Sequence, residues 1–251
     1  DIIFFWVARM IVFGIEVMGK VPFSYVNIHG IVRDEQGRKM SKSLGNGIDP
    51  LKVIEEYGAD ALRFSLASGT SPGNDMRFYD SKVRAASNFA NKIWNAARFV
   101  AMNLTDRQAD SGIDELQLDI ADKWILTRLN QVISEVTENM EKFELGLACA
   151  KIYDFIWSEY CDWYIEMCKA RLYEGTQEQK ETAGLMLSYT LTQALKLLHP
   201  CMPFITEEIY VELLHAGESI MISDWPVYEQ KQEYPAEAAV MEQAMEIIRN
   251  V

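Results

Sequence analysis

The sequence predicts a mainly α-helical protein in which a bundle of long helices follows a shorter α/β segment. Apolar residues recur with the 3.6-residue spacing of a helix almost throughout residues 81–215. By contrast, residues 25–32 have the β-branched and aromatic content of a strand. Proline and glycine at residues 70–75 place a domain boundary near Asp80. The expected divisions are residues 1–80, 81–215 and 216–251.

The first 80 residues divide into short elements with recognisable ends. Residues 1–19 predict a buried helix that Gly19 closes, and residues 34–37 predict a turn after the strand. Asp49 and Pro50 suit the N-cap and the first position of a helix. The further helices expected in this part cover residues 49–57 and 59–68, closed by Gly58 and Gly69.

Helical periodicity continues through the rest of the chain. The predicted helices cover residues 81–104, 120–142, 145–173, 179–198, 203–215 and 236–251. Polar stretches at residues 105–115 and 174–179 predict loops. Residues 220–234 predict an irregular or short-stranded excursion.

Composition limits the class of protein. Of the 251 residues, 49% are apolar and 24% are charged, so the chain can bury a substantial core. Arg9 and Glu16 interrupt the apolar opening, which therefore predicts neither a signal peptide nor a membrane span. The start at Asp1, inside a hydrophobic element, suggests a longer parent protein. The four cysteines lack Cys-x-x-Cys spacing, and we expect reduced core thiols of a cytoplasmic protein with no zinc site.

The most informative motif is a lysine loop at residues 39–43. Lys39 and Lys42 can meet neighbouring phosphates as point charges, and Ser41 and Ser43 add hydroxyl donors. These groups suit the stabilisation of a departing pyrophosphate, with Lys42 the first choice for the phosphate contact. The alternative is a solvated lysine loop. For the following Gly45-Asn46 pair, ordinary turn chemistry is the favoured interpretation.

Two further positions in the first segment are candidate ligand contacts. His29 and Gly30 lie at the end of the predicted strand, where open α/β sheets bind ligands. Glycine there would let a purine approach the backbone and His29 could contact ribose, although a packing or capping histidine is the alternative. Most of the aromatic opening is expected to be core, with Trp6 as a candidate wall of a small aliphatic pocket.

One predicted helix is basic in an acidic protein. The net charge of −13 argues against a general nucleic-acid binder, yet residues 81–105 contain no acidic side chain. A polar stripe on this helix opposes an apolar face at positions 86, 89, 90, 93, 97 and 100. Its amide and guanidinium groups could hydrogen-bond to unpaired RNA, whereas the alternative is a solvated helix face. The candidate RNA-binding residues are Arg84, Asn88, Asn91, Lys92, Asn95 and Arg98.

Several stretches together resemble the class Ia aminoacyl-tRNA synthetases. The lysine loop, Lys-Met-Ser-Lys-Ser, is the second signature of class I. The Phe-Trp-Val-Ala-Arg-Met run at residues 5–10 resembles the valine-specific branch rather than the isoleucyl or leucyl branches. The other matching stretches are residues 1–4, 29–30, 60–64, 91–100, 161–164 and 199–208.

The resemblance implies a fold, partners and site residues. Residues 1–80 would be the C-terminal part of a Rossmann-type α/β catalytic domain with a stem-contact region, and residues 81–215 a helical anticodon-binding bundle. Lys39 and Lys42 would be catalytic, and Trp6 would lie near the valine pocket. The ATP-binding residues would be His29, Gly30, Lys39, Met40, Ser41, Lys42 and Ser43. The implied partners are ATP with Mg²⁺, valine and tRNA(Val), in a cytoplasmic and monomeric parent enzyme without a resident metal.

The sequence departs from that family in one important respect. Class I catalysis also needs a His-x-Gly-His signature, but the histidines here are His29, His199 and His215, and none forms it. We therefore expect this chain alone not to charge tRNA. The alternatives are a non-catalytic tRNA-binding module, an isoleucyl or leucyl relative, and an unrelated phosphate-binding helical protein.

Overall fold

The computed structural model describes residues 3–69, 71, 73–104, 113, 116–214 and 216–250, and it confirms the mainly α-helical class. The helices are α1 (Ala8–Met18), α2 (Pro50–Tyr57), α3 (Ala59–Ser68), α4 (Asp80–Asn103), α5 (Ile120–Glu141), α6 (Leu145–Asp154), α7 (Ile165–Glu174), α8 (Gln177–Leu198), α9 (Pro203–Glu208) and α10 (Pro235–Arg249). Turns of π-helix cover Ile3–Val7, Phe155–Tyr164 and Ile209–Leu213, and 3₁₀ turns cover Ile220–Ile222 and Gln230–Gln232. The strands are β1 (Val32–Arg33) and β2 (Met76–Arg77).

Local sequence signals set most helix ends where they were predicted. Asp49 caps α2 by accepting a hydrogen bond from Leu51 N at 3.0 Å, and Gly58 closes the helix with φ +90°. Helix α8 begins two residues before the predicted start because Thr176 and Gln179 form a capping box. The predicted loop over residues 105–115 and the predicted helix end at His215 lie largely outside the described residues.

The strand predicted at residues 25–32 is wrong over most of its length. Only β1 is extended and paired, with Val32 opposite Met76 in a parallel ladder of two residues. A strand exists only where a partner strand offers backbone hydrogen bonds. The partner strand β2 is itself only two residues long, so it pairs with Val32 and Arg33 alone. Residues 25–31 therefore have strand-like composition without strand structure.

The opening helix forms as predicted, but the prediction that it is buried is wrong. Phe4 is 86% exposed and Phe13 is 65% exposed, whereas Gly14 packs against Pro22. Among the described residues, no other helix packs extensively along α1. Apolar composition predicts a preference for burial, but burial itself requires a neighbouring element.

The bundle core is built from α4 to α8. Helix α4 buries the predicted face at Phe89, Ile93, Ala97 and Val100. The predicted helix over residues 145–173 is present as α6, a π-helical stretch and α7 in succession. Cys149, Cys168 and Cys201 are buried and Cys161 is half-buried, and each is a free thiol.

Helix α3 attaches the first segment to this bundle. The buried carboxylate of Asp60 accepts hydrogen bonds from Phe204 N at 3.2 Å and Ile205 N at 2.7 Å, so it caps α9. One turn later, Arg63 donates to Pro200 O at 3.0 Å. Two side chains of one short helix thus hold the junction between α8 and α9.

Candidate phosphate loop and candidate RNA-binding helix

A tight turn presents the lysine loop. Asp34 N donates to Arg38 O at 3.1 Å, and Gly37 N donates to Asp34 O at 2.8 Å, with Gly37 at φ +80°. Arg33 and Lys39 then form an antiparallel bridge. The predicted turn over residues 34–37 is confirmed, and it folds the loop back beside β1.

The loop itself is an ordered turn. Leu44 N donates to Ser41 Oγ at 3.3 Å, and the Ser41 and Ser43 hydroxyls lie 3.2 Å apart. Gly45 N donates to Lys42 O at 3.3 Å, with Gly45 at φ +60°. Both serine hydroxyls are thus engaged within the loop.

The side chains of the loop are divided between core and solvent. Met40 is half-buried and packs against the hydrophobic core. Lys39 and Lys42 are exposed. The loop is therefore anchored through its methionine while both ammonium groups reach the surface, where they can meet an anion.

A buried carboxylate connects the two ends of the loop. Asp34 is only 6% exposed and accepts hydrogen bonds from Arg38 N and Arg38 Nε, each at 2.7 Å, and from Asn46 Nδ2 at 2.8 Å. Asn46 Nδ2 also lies 3.3 Å from Lys39 O, and Asn46 Oδ1 accepts from Ser41 N at 2.9 Å. We call Asp34 and Asn46 the loop clasp. Asn46 does more than the turn chemistry that its Gly-Asn context favoured.

The loop clasp depends on the charged form of Asp34. The hydrogen bond from Asn46, helped by those from Arg38, lowers the pKa of Asp34 to about 2 from an ordinary value of 3.8. A depressed carboxyl pKa adds stability that is fully present above the unfolded value and is lost as the pH falls through the folded value. We therefore expect the clasp to be complete above pH 3.8 and to weaken between there and about pH 2.

Gly30 has a packing role that the sequence did not indicate. A Cβ at Gly30 would lie 1.8 Å from Asn74 O, so only glycine lets these two segments cross. Beside this crossing, Asp75 accepts from Ile31 N at 2.9 Å and pairs with Arg33. The neighbouring His29 is exposed, with Nδ1 2.9 Å from the Gly30 carbonyl oxygen.

Trp6 lies in the π-helical turn before α1 and is 57% exposed. The expectation that the aromatic run around it forms core is therefore wrong for the described residues. The residues that the structure describes do not enclose Trp6 in a pocket, and its role near an amino acid remains a prediction.

The predicted polar stripe on α4 faces solvent. Five of the six candidate RNA-binding residues are exposed, and Lys92 is half-buried. The exposed members are Arg84, Asn88, Asn91, Asn95 and Arg98. The predicted amphipathic helix is confirmed, and the binding role of its polar side stays a prediction.

The basic side chains of α4 differ in their partners. Lys92 Nζ lies 2.5 Å from Asp162 Oδ1 and 3.9 Å from the centre of the Trp157 ring. Arg84 Nη2 donates to Tyr57 OH at 3.4 Å. The charge of Lys92 is thus largely compensated within the protein, a contact that no local sequence signal indicated.

The described part of the chain holds neither a membrane-crossing helix nor a cluster of metal-binding side chains. No helix there is long and apolar enough to cross a lipid bilayer. No three His, Cys, Asp or Glu side chains there are grouped closely enough to hold a metal ion.

The sequence matches two protein families. Residues 1–79 match the family described as tRNA synthetases class I (I, L, M and V). Residues 122–251, more than half of the chain, match the family described as anticodon-binding domain of tRNA ligase. The lysine loop falls in the first match, and the second match begins in the first turn of α5 and includes α6 to α10.

Curated relatives align along the whole chain. The valine–tRNA ligase of Clostridium acetobutylicum is 55% identical over 251 residues, which are 100% of this chain and 28% of the relative. The valine–tRNA ligase of Clostridium perfringens is 56% identical over the same shares. The chain therefore spans 28% of the length of these relatives.

Two solved structures are similar to this one. The ternary complex of Agrobacterium radiobacter K84 agnB2 LeuRS, tRNA and LeuAMS has a TM-score of 0.72 at 25% identity, covering 90% of this chain and 27% of that chain. Mycobacterium tuberculosis methionyl-tRNA synthetase in complex with methionyl-adenylate has a TM-score of 0.60 at 20% identity, covering 78% and 43%. The second likeness concerns the fold alone.

Proposed function

The chain belongs to the class I tRNA synthetases that carry this anticodon-binding domain, and we propose that it forms part of an ATP-dependent valine–tRNA ligase. In that reaction the valine carboxylate attacks the α-phosphate of ATP, and pyrophosphate leaves. The valyl group then passes from the adenylate to tRNA(Val). This chain would supply a phosphate-binding loop and a tRNA-binding bundle.

The observation that carries the catalytic part of this proposal is the built lysine loop. Its two ammonium groups are exposed on a turn that Met40 and Asn46 anchor. Negative charge develops on the departing pyrophosphate, and a preorganised cation stabilises that charge without having to reorganise during the reaction. We assign the main phosphate contact to Lys42 and a second contact to Lys39.

Other proposed roles rest on the resemblance to the class I synthetases. His29 and Gly30 would flank adenosine, and Trp6 would approach valine once further protein covers α1. Mg²⁺ would enter with the ATP phosphates as part of the substrate complex. We further propose a cytoplasmic, monomeric parent enzyme, with its catalytic segment ending near residue 80 and its bundle extending to residue 215.

A chimera tests the catalytic proposal. This chain would replace the matching segment of the Clostridium acetobutylicum relative, to which it is 55% identical over 251 residues. We expect valine-dependent exchange of pyrophosphate into ATP by the chimera, and none by the chain alone. The circular dichroism spectrum and tRNA binding show whether the chimera is folded. A folded chimera that does not exchange pyrophosphate into ATP would contradict the proposal. Exchange by the chain alone would contradict the expectation that it is inactive.

The tRNA-binding proposal makes a separate prediction for α4. Arg98→Ala should weaken binding of tRNA(Val) to the chain and lower the slope of log affinity against log salt by about 0.7, the value for one phosphate contact on a single strand. Fluorescence anisotropy across a salt series measures both quantities. Lys92→Ala is the matched control, since Asp162 already compensates that charge and its effect on the slope should be smaller. An unchanged salt slope for Arg98→Ala, or a larger change in slope for Lys92→Ala than for Arg98→Ala, would show that the polar stripe of α4 is not the tRNA-binding surface.

A further inference from the structure

The loop clasp joins chain segments on both sides of the lysine loop. Asp34 precedes Lys39 by five residues, and Asn46 follows Ser43 by three. The Asn46 amide contacts Lys39 O and Ser41 N, which flank Met40. A single side chain thereby fixes the backbone between the two lysines.

We propose that Asp34 and Asn46 are positioning residues for pyrophosphate departure, acting through the backbone that carries Lys39 and Lys42. The inference rests on the proposed function of the loop. Neither side chain needs to touch the nucleotide. Their effect is to hold the two ammonium groups in one arrangement before ATP arrives.

The carboxylate of Asp34 determines which way the Asn46 amide faces. An ionised carboxylate only accepts hydrogen bonds, so it selects the NH₂ end of the amide, and Asn46 Oδ1 must turn towards Ser41 N. A neutral amide at position 34 would not impose this orientation. The acid at position 34 thus orients the amide through its acceptor character as well as its charge.

Arg38 compensates the charge of the buried Asp34 carboxylate. A buried carboxylate without compensation is strongly unfavourable, but Arg38 offers it a backbone donor and a guanidinium donor, each at 2.7 Å. With Asn46 as the third donor, Asp34 accepts three hydrogen bonds inside the turn. The clasp is thus a connected hydrogen-bonded unit, and loss of one member leaves a polar group of the other with one partner fewer.

The expected consequence is a loss of catalytic rate with little change in valine binding. Misplacing a catalytic group by about 1 Å can cost on the order of 10²-fold in rate. We expect Asn46→Asp, which places a second carboxylate against Asp34, to lower kcat for pyrophosphate exchange by about 10- to 100-fold. The KM for valine should stay within about twofold, because interactions made only in the transition state leave ground-state binding unchanged.

The experiment compares Asn46→Asp, Asp34→Asn and the double variant with both changes. The double variant restores an amide facing a carboxylate, in reversed order, and should recover part of the lost kcat in the chimera. Glu35→Gln is the charge-matched control for Asp34→Asn, because Glu35 is an exposed acid in the same turn. It should behave like the unchanged protein.

A second readout reports on the loop without requiring catalysis. Trypsin should cut the 251-residue chain after Lys39 and Lys42 about tenfold faster in each single variant, since cleavage follows the population of the open form. Cleavage after Lys180 in α8 should be unchanged, which shows that the fold is intact. The double variant should be cut more slowly than either single variant.

The two readouts separate the possible failures. If the unsubstituted chimera does not catalyse exchange, the proposed function fails, while trypsin still tests the clasp. Unchanged cleavage after Lys39 and Lys42 in both single variants would overturn the clasp. Faster cleavage with an unchanged kcat, or no recovery of kcat in the double variant, would overturn its positioning role.

Discussion

Replacing Lys42 by alanine in the chimera is expected to lower kcat for valine-dependent pyrophosphate exchange by about 10²- to 10³-fold. Removing one preorganised donor from a transition state typically costs about 2.7–4 kcal/mol, which corresponds to this range. Lys42 is exposed on an ordered turn, so its ammonium can approach a polyphosphate without refolding of the loop. Initial rates of labelled pyrophosphate incorporation measure the effect.

Whether Lys42→Ala changes kcat or KM identifies the step in which the lysine acts. A lysine that stabilises departing pyrophosphate should leave the KM for valine unchanged and lower kcat. Lys52→Ala on α2 is the control, because it removes an exposed lysine outside the loop. A loss of kcat below about threefold for Lys42→Ala, or an equal loss of kcat for Lys52→Ala, would show that the loop does not stabilise the departing pyrophosphate.

Features with local causes could be predicted from the sequence. Asp49 and Gly58 mark the ends of α2 because capping depends on side chains within a few residues of the helix end. The polar and apolar faces of α4 follow from helical spacing alone. The lysine loop could likewise be found as a motif, since its residues are consecutive.

Features that depend on distant partners could not be predicted in the same way. The strand-like residues 25–31 do not form a strand, and α1 remains exposed, because neither has an extensive partner in the described part of the chain. Asn46 resembles a turn residue in sequence, and its contact with Asp34 spans 12 positions. Asp60 gave no local sign that it caps a helix 144 residues later.

A buried ion-pair network that the sequence did not reveal lies inside the bundle. Asp122 is 0% exposed, and Arg171 donates to its two oxygens, each at 2.7 Å. Tyr164 OH donates to the same carboxylate at 2.6 Å, and Asp119 N donates at 3.1 Å. This network joins the start of α5 to the Phe155–Tyr164 stretch and to α7. We expect removal of one partner from this network to destabilise the bundle, because it leaves the other charge buried without its partner.

Asp122→Ala should lower the free energy of unfolding of the chain by about 3–5 kcal/mol, the typical cost of breaking a buried ion pair from one side. The substitution leaves the mostly buried Arg171 guanidinium without its bidentate partner. Urea unfolding followed by circular dichroism measures the change. Asp162→Ala is the matched control, because Asp162 pairs with Lys92 at a half-exposed site, and its loss should be less than about 1 kcal/mol.

Two tyrosines on the same π-helical stretch allow the effect of the Asp122 charge on stability to be distinguished from the effect of burying a tyrosine. Tyr160 and Tyr164 are both fully buried, but Tyr160 OH donates to the neutral Leu187 O at 2.9 Å, whereas Tyr164 OH donates to Asp122. Hydrogen bonds to charged groups contribute about 1.5–3 kcal/mol and neutral ones about 0.5–1.5 kcal/mol. Tyr164→Phe should therefore destabilise the chain more than Tyr160→Phe. In the Asp122→Ala background the two changes should become similar, because the carboxylate that distinguishes them is gone.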